Sequence, residues 1–574
     1  MRNTAIAKVF SDIADLLELK GENQFKIRAY QRAVRAIEHY PKEIKIMFDE
    51  GEDLRNIPGV GDAIAKKTTE LVTTGKLEYY EKLKAEFPPG ITNLLEIPGI
   101  GPRTANKLST ELGITSIDSL EEAIREGKVA RLFRLGEKTA TNILGQIQAL
   151  RRKDQRIPIG AALPVVDEIL TALGAVPGAR NLTYAGSLRR FRETVGDIDL
   201  MGTADDPQKV LDAFVSLPLV GQVLVQGPTK SSVVVAGGLQ VDLRMVEHEA
   251  FGSLLQYFTG SKQHNIILRE RGRRQGLKLS EYGITDVATD RLEKFADEMD
   301  FYRRLGLQFI PPELREAQGE VEKAEEGAIP RLVELADIKG DLHIHSDWSD
   351  GNNSIEEMAQ AAKERGYQYI AITDHSGGRG IAHGLDAGRL ERQLDEVSSV
   401  NERLDGIRVL SGSEVDIKAD GRLDLPHEVL SRLDLVIAAV HSSLNQSEER
   451  MTARVLSAVE NPDVDIIAHP TCRLLGEREP VAIDLEAVLR AAAKYNKIVE
   501  INAMPQRLDL NDVHASRARE IGVKLAIGTD AHDTSHLDFM RFGVGMARRA
   551  WCEPEHILNT LPLGELLASL NVGG

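Results

Sequence analysis

In the opening stretch MRNTAIAKVFSDIADLLELK, apolar residues fall three and four positions apart, which predicts one buried face of an amphipathic helix. FKIRAYQRAVRAIEHYP (25–41) keeps that spacing, with Lys26, Arg28, Arg32 and Arg35 interspersed. Further along the period changes. YAGSLRRFRETVGDIDLM (184–201) reads as a strand end, a Gly-Ser turn, a basic helix start and a second strand, and SSVVVAGGLQVDLRMV (231–246) as a hairpin turning at Gly237-Gly238. From residue 340 onward a short apolar strand, a polar end and a helix recur, the strand ends being GDLHIHS, YIAITDHS, VLSGSE, LVIAAVHSS, DIIAHP, IVEINAM and KLAIGTDAH. Strands alternating with helices pair in parallel, and this many predict a closed barrel with its chemistry at the C-terminal strand ends.

At 574 residues the chain exceeds a single hydrophobic core, and its length suggests about four units. With no run of eighteen apolar residues and a charged first helix unlike a signal peptide, a cytoplasmic protein without membrane contact is expected. Cys472 and Cys552 are too few for a disulfide framework or a thiolate cluster, so metal ligands must be histidines and carboxylates. The net charge of −17 speaks against a nucleic-acid binder until it is divided along the chain. Residues 1–317 hold 44 Lys+Arg and 44 Asp+Glu, so all of the excess acid lies in 318–574, together with eleven of the fourteen histidines. Two chemically distinct halves are joined, and a neutral first half limits any contact with a polyanion to local, salt-sensitive ones rather than a broad basic face. ELREAQGEVEKAEEGAIPRL (313–332), rich in charge, Gly and Ala, predicts a linker that allows either an extended or a packed arrangement.

Ile57-Pro58-Gly59-Val60-Gly61 recurs as Ile97-Pro98-Gly99-Ile100-Gly101, an internal repeat, and RLFRLGEKTATNI (131–143) looks like a worn third copy. Proline ends the incoming helix, the glycines permit a tight hairpin, and the next helix starts with free N–H groups that suit a phosphate. This is the motif of helix-hairpin-helix DNA-binding modules, with Gly59, Gly61, Gly99 and Gly101 as the points of backbone approach. Such hairpins also occur merely as packing devices.

Strand alternation places Asp197 and Asp199 on one face, and Asp242 follows on the second strand of the later hairpin. Three carboxylates on adjacent strands repel one another unless a cation compensates, and they suit two magnesium ions, one acting on the attacking hydroxyl and one on the triphosphate. An isolated Asp-x-Asp is common in surface turns. Gly186-Ser187 followed by Gly-Asp-Ile-Asp, with a third strand aspartate behind, is far more specific to a nucleotidyltransferase. Gly186 and Ser187 would cradle the incoming phosphates and Arg190 counter their charge. YFTGSKQHNIILRERGRRQGLKLSEYG (257–283) then sets Arg269, Arg271, Arg273 and Arg274 beside an aromatic turn, as a nucleic-acid groove requires.

In the last half nearly every strand ends in a nitrogen or oxygen ligand: His343 and His345, His375, Glu414, His441, His469, then Asp530 and His532, with Asp350 in the first loop. Any one of these histidines reads most simply as a satisfied core residue. All of them at strand ends point to a cluster of two or three Mn²⁺, Zn²⁺ or Fe²⁺ ions, bridged by Glu414 or Asp530.

Three of these segments carry a resemblance. FKIRAYQRAVRAIEHYP with LVTTGKLEYYEKL (71–83) resembles the N-terminal lyase domain of family X DNA polymerases, and YFTGSKQHN resembles their thumb. The pattern HxH…D…TDH…SE…H…H…TDAH resembles the PHP (polymerase and histidinol phosphatase) domain, with all nine ligand positions present. The whole is similar to bacterial or archaeal family X polymerases with a C-terminal PHP domain. The fold implied is an all-α helix-hairpin-helix region (1–85 and 86–153), an α+β nucleotidyltransferase palm (154–246) and thumb (247–317), a linker (318–337) and a distorted (β/α)7 barrel (338–574). The resemblance implies a catalytic trio of Asp197, Asp199 and Asp242, with Tyr257, Phe258 and Gly260 at the sugar, Asn265 at the minor groove of the nascent pair and Arg269 on the template. Lys262 and His264 replace the aspartate and aromatic residue common in animal relatives, which puts a cation near the phosphates and changes base stacking. The resemblance also makes Lys26 a DNA contact and Lys67 a Schiff-base former at abasic sites, which requires an amine made partly neutral by burial or by Lys66. His383, Arg379 and Arg507 become candidates for the scissile phosphate. The function implied is gap-filling synthesis on primed or gapped DNA from dNTPs by a monomer, with metal-dependent 3′–5′ exonuclease, AP-endonuclease or 3′-phosphatase activity in the barrel. Two other readings stay open at this point: a histidinol-phosphate-like phosphatase with a DNA-binding appendage, and a non-catalytic DNA-end scaffold.

Overall fold

In the computed structural model, residues 3–570 are described apart from 39, 41–43, 50, 58, 88–90, 92–93, 95–96, 98–99, 101, 132–135, 138–139, 141–142, 145–146, 148–155, 236–237 and 378–381. The chain forms two compact units, Met1–Gln155 and Arg156–Gly574. Among the described residues no helix is long and apolar enough to cross a membrane.

The first unit is helical. The amphipathic helices Asn3–Lys20 and Gln24–Glu38 bury Phe10, Leu17, Tyr30 and Ile37 against Ile57, Ile64 and Leu71, which makes one core. A second core gathers Ile97, Ile100, Leu108, Leu120 and Ile143. In the first hairpin Val60 N–H bonds Ile57 C=O at 3.0 Å, Gly59 adopts φ +91°, and Gly61 precedes the helix Asp62–Thr74. That positive φ is one that L side chains rarely adopt. The second copy repeats the bond from Ile100 to Ile97, at 3.0 Å, ahead of the helix Pro102–Leu112. Gly99 and Gly101, and much of the worn third copy, lie outside the described residues.

The second unit opens on β1 (Ile157–Pro158), paired antiparallel with β3 (Thr194–Val195). The palm sheet contains β2 (Ala179–Tyr184), β4 (Ile198–Ala204), β5 (Val220–Gln226), β6 (Lys230–Val235) and β7 (Gln240–Met245), in the order β2-β4-β7-β6-β5. β4 and β7 run parallel and bring Asp199 level with Asp242. The thumb adds the helices Phe251–Thr259 and Lys262–Arg274 and a small antiparallel sheet of β8 (Leu277–Ser280), β9 (Gly283–Asp286) and β10 (Arg291–Glu293).

The barrel strands are β11 (Gly340–Ile344), β12 (Tyr369–Ile372), β13 (Arg408–Asp416), β14 (Leu435–Ala439), β15 (Ile466–Ile467), β16 (Ile498–Asn502) and β17 (Leu525–Gly528). They pair in parallel in chain order, and a bridge between Ile344 and Ala531 nearly closes the ring. A cluster that includes Leu342, Tyr369, Leu410, Ile437, Ile466 and Ala526 is closed off by Leu558 and by Leu566 of the helix Leu563–Leu570.

Palm and barrel are packed together. One apolar cluster runs from Ile159 and Phe214 to Phe542 and Ile557, and Phe191 stacks obliquely on Phe542 at 6.1 Å. The segment expected to be a linker, extended or packed, is part of a folded core as well. Its helix Glu320–Glu325 buries Val321 and Ala324, and Ile329 and Leu332 follow, against Tyr302 and Leu314. Its charged residues had masked an apolar stripe. Glu320 itself is buried, accepting from Ala317 and Gln318 N–H and bonding His264 Nδ1 at 2.7 Å.

Candidate functional site

In the palm, Asp197 precedes β4, and Asp199 lies on it level with Asp242 of β7, where it feels the charge of both. Burial, and then the charges of Asp197 and Asp242, push the Asp199 carboxyl up to about 6. Asp242 remains below the usual carboxylate range. Burial opposes this, but hydrogen bonds from Lys230, Gln240 and Ser232 prevail, with Lys230 Nζ at 2.6 Å. The Gly-Ser turn abuts the trio: Ala185 N–H donates to Asp199 C=O at 2.8 Å, and a Cβ on Gly186, at φ +63°, would come within 3.0 Å of Asp199 Oδ2. A cluster of like charges with one member held part-neutral suits a divalent cation.

Around this trio the expected nucleotide residues divide. Tyr257 and Phe258 meet edge to face at 5.3 Å, Gly260 turns the chain at φ +66°, and Lys262 is exposed on the first turn of its helix. Asn265 donates to Tyr257 C=O at 2.7 Å and accepts from Gln256 at 2.8 Å, so it must exchange those bonds to reach a base. Arg190, expected at the phosphates, donates instead to Thr259 C=O at 2.6 Å and pairs with Glu316 at 3.1 Å. It braces the Gly-Ser turn against the aromatic turn. His264, expected near the base, is fully buried between Glu320 and Tyr302, 2.7 and 2.8 Å away, and stacks on nothing outside the thumb core. Arg269, Arg273 and Arg274 are exposed, whereas Arg271 pairs with Glu325 at 2.8 Å.

At the barrel mouth all nine expected ligands converge. His345, Asp350, His375 and His532 form one group, His343, His345 and Asp530 a second, and His375, Glu414 and His441 a third, with ligand atoms within 4.8 Å of one another in each. His469 Nε2 meets Glu414 Oε1 at 2.9 Å. Glu414 Oε2 lies 2.7 Å from His375 Nδ1 and His345 Nε2 3.2 Å from Asp530, while the nitrogens His343 Nε2, His345 Nδ1 and His469 Nδ1 are buried with no hydrogen-bond partner. Each such atom costs about 1–3 kcal/mol if nothing satisfies it, so the donor set fits bound cations. Burial, and then the charges of His532 and His375, push His345 down to about 3, which keeps the lone pair of one ring nitrogen unprotonated. Burial also opposes a proton on His343, but the carboxylates Glu500, Asp530 and Glu414 outweigh it and hold that imidazole well above its usual range. Burial opposes charge on Glu414 and Asp530 too, yet the surrounding imidazoles keep both well below the usual carboxylate range.

Sequence reasoning missed the supports of this basket. Glu500 accepts His343 Nδ1–H at 2.6 Å and His469 N–H at 2.9 Å, which aims His343 Nε2 at the cluster. Asp416 lies 3.4 Å from His441 Nδ1, and Asp341 accepts from Thr529 and from His343 N–H. The clue was present: Glu500 is a lone carboxylate within the apolar strand Ile498–Asn502. Of the suggested phosphate contacts, Arg507 Nε lies 3.4 Å from Asp530 Oδ2, His383 is exposed, and Arg379 is outside the described residues.

In the helical unit, Lys67 Nζ sits over the Tyr79 ring at 4.8 Å, and Lys26 Nζ over the same ring at 5.7 Å. Burial, and then the charge of Lys26 rather than Lys66, lower the pKa of Lys67.

An oxygen-only trio beside a phosphate-sized turn and an imidazole-rich basket at a barrel mouth define an enzyme class with two phosphoester centres on one chain. The models for a helix-hairpin-helix domain match residues 1–77, a SAM-like helix-hairpin-helix tandem 91–149, a DNA polymerase beta thumb 254–316 and a PHP domain 341–504. The chain is 41% identical over 572 residues to the DNA polymerase/3′-5′ exonuclease PolX of Bacillus subtilis (strain 168), covering 99% of each. It is 34% identical over 234 residues to a "Probable phosphatase" of Thermoanaerobacter sp. (strain X514), covering 38% of this chain and 89% of that one, in the PHP part alone. A "Probable phosphatase" of Acetivibrio thermocellus is likewise 34% identical, over 202 residues, covering 33% of this chain and 78% of its own. The chain belongs to the family X DNA polymerases that carry a PHP domain.

Proposed function

We propose that this protein fills short gaps in DNA from dNTPs at the palm and shortens 3′ ends at the barrel mouth. The observation that carries this reading is the presence, in one compact unit, of a repelling carboxylate trio and a basket of unpartnered imidazole nitrogens. Asp197, Asp199 and Asp242 would hold two Mg²⁺, and the nine barrel ligands two or three Mn²⁺ or Zn²⁺. Bound, these ions supply positive charge that activates the attacking oxygen and stabilises charge on the phosphoryl and leaving oxygens.

The chain's own residues do the rest. Asp242 exchanges Lys230 for cation. The backbone at Gly186 and Ser187 receives the triphosphate, and the exposed Lys262 lends charge beside it. Tyr257 and Phe258 line the sugar, Asn265 reads the nascent pair and Arg269 holds the template. In the barrel, Glu500 orients His343, and Arg507, whose Nε has no hydrogen-bond partner, faces the scissile phosphate. Gly59, Gly61, Gly99 and Gly101 admit the DNA backbone at the hairpins. The lowered pKa of Lys67 beside Lys26 supports Schiff-base chemistry at abasic sites.

Primed, one-nucleotide-gapped DNA with dNTPs and Mg²⁺ or Mn²⁺ tests the reading. Asp242→Ala is expected to stop extension and spare shortening, and His343→Ala to do the reverse. Shortening that survives His343→Ala defeats the barrel assignment. Borohydride trapping on an abasic-site oligonucleotide that is unchanged by Lys67→Ala defeats the lyase assignment.

A further inference from the structure

We infer that the palm positions the barrel's Arg507 loop, so that two palm residues outside the carboxylate trio, Gly160 and Glu193, tune 3′ shortening. The inference rests on the placement of that reaction at the barrel mouth. The loop in question, 503–510, follows β16 and carries Arg507, and two independent palm contacts fix it.

The first contact is steric. Gly160 lies in the first turn of the palm helix Ile159–Gly174, directly on the buried Pro505, and an added Cβ would overlap the proline ring. A proline ring has no flexible end to swing aside, so a methyl group here must displace backbone. Pro505 sits inside a tight turn in which Arg507 and Leu508 N–H both bond Met504 C=O, at 2.8 and 3.1 Å, so displacement of the proline carries Arg507 with it.

The second contact is polar. The Arg473 guanidinium, 9% exposed, donates through Nε to Arg507 C=O at 2.9 Å and through an Nη to Leu508 C=O. The same guanidinium pairs with Glu193 of the palm at 2.8 Å. Glu193 follows the Gly-Ser turn by six residues and bonds Ile159 N–H through its own carbonyl, so the steric and polar contacts rest on one piece of palm. Arg507 in turn reaches Asp530, 3.4 Å away. Glu193, Arg473, the loop carbonyls and Arg507 thus form a continuous chain of contacts that ends at the basket, and displacing a phosphate-holding group by about an ångström is enough to cost two orders of magnitude in rate.

The test uses the full-length enzyme and a 5′-labelled primer with Mn²⁺, scored for kcat and KM of shortening, for gap filling, and for Mn²⁺ affinity by calorimetry. Gly160→Ala is expected to lower kcat/KM of shortening on the order of tenfold. Glu193→Ala should lower it less, with recovery in Glu193→Asp, while gap filling and Mn²⁺ affinity stay as in the unaltered enzyme. Normal shortening in both Gly160→Ala and Glu193→Ala overturns the inference. So does a parallel loss of gap filling or of Mn²⁺ affinity, which would mark general disruption. If shortening in the unaltered enzyme survives His343→Ala, the barrel assignment itself has failed, a result distinct from either.

Discussion

The palm trio and the barrel basket solve the same problem, gathering negative charge and lone pairs for cations, in opposite ways. The palm keeps its carboxylates on two adjacent strands at a partly open face, relieves one with Lys230, and leaves Asp199 up at about 6. Such a site is incomplete by construction, because hard cations there are expected to take remaining ligands from the nucleotide. The basket gathers its ligands on six converging strand ends and the first loop, most of them buried, and Glu500 aligns His343. On the function proposed here, the open oxygen site would take a cation that comes with substrate and the imidazole-rich site resident ones.

The largest effects should separate the two centres outright. Asp199→Asn is expected to lower extension by at least about a hundredfold without changing shortening, and Asp530→Asn the converse, in steady-state assays on gapped and single-stranded DNA. If either substitution weakens both reactions equally, the centres are not independent. Next, resident ions stabilise what they bind. Mn²⁺ at about 100 times its dissociation constant should add about 2.7 kcal/mol to the barrel's unfolding free energy by calorimetry, whereas Mg²⁺ without DNA should scarcely shift the palm. Glu500→Gln should weaken Mn²⁺ binding by about 10- to 100-fold, measured by titration.

The smallest effect is a pH dependence. Asp199 has a folded pKa near 6, above the 3.8 of an unperturbed aspartate, so its contribution to stability is fully present below about 3.8 and is lost as pH rises through 6. Without metal, Asp199→Asn should therefore raise the melting temperature at pH 8 and leave it nearly unchanged at pH 4. For the same reason Mg²⁺ affinity at the palm should fall as pH drops from 7 to 5, since the cation then competes with a proton.

Much of this was legible beforehand because period and position coincide. A strand whose last residues are His343 and His345 must present both to one face, and seven such strands in parallel bring their ends together whatever their loops do. The Gly59 hairpin was readable because few residues other than glycine adopt its backbone angle. The burial of His264 was not legible, because it depends on Glu320 and Tyr302, both remote in sequence. Residues 318–332 looked like a linker because charge dominates their composition. Their burial depends on a thumb surface that no local pattern reveals.

By itself the sequence determined the elements, the two ligand sets and the division of the chain into a charge-neutral half and an acidic, histidine-rich half, since these follow from spacing and residue chemistry. Only the tertiary structure decided that the palm and barrel share one core, that Arg190 bonds Thr259 C=O and Glu316, and that Glu193 reaches Arg473, 280 positions away. Periodicity reports which face of an element is apolar, and contacts of such separation depend on which other surface that face finds.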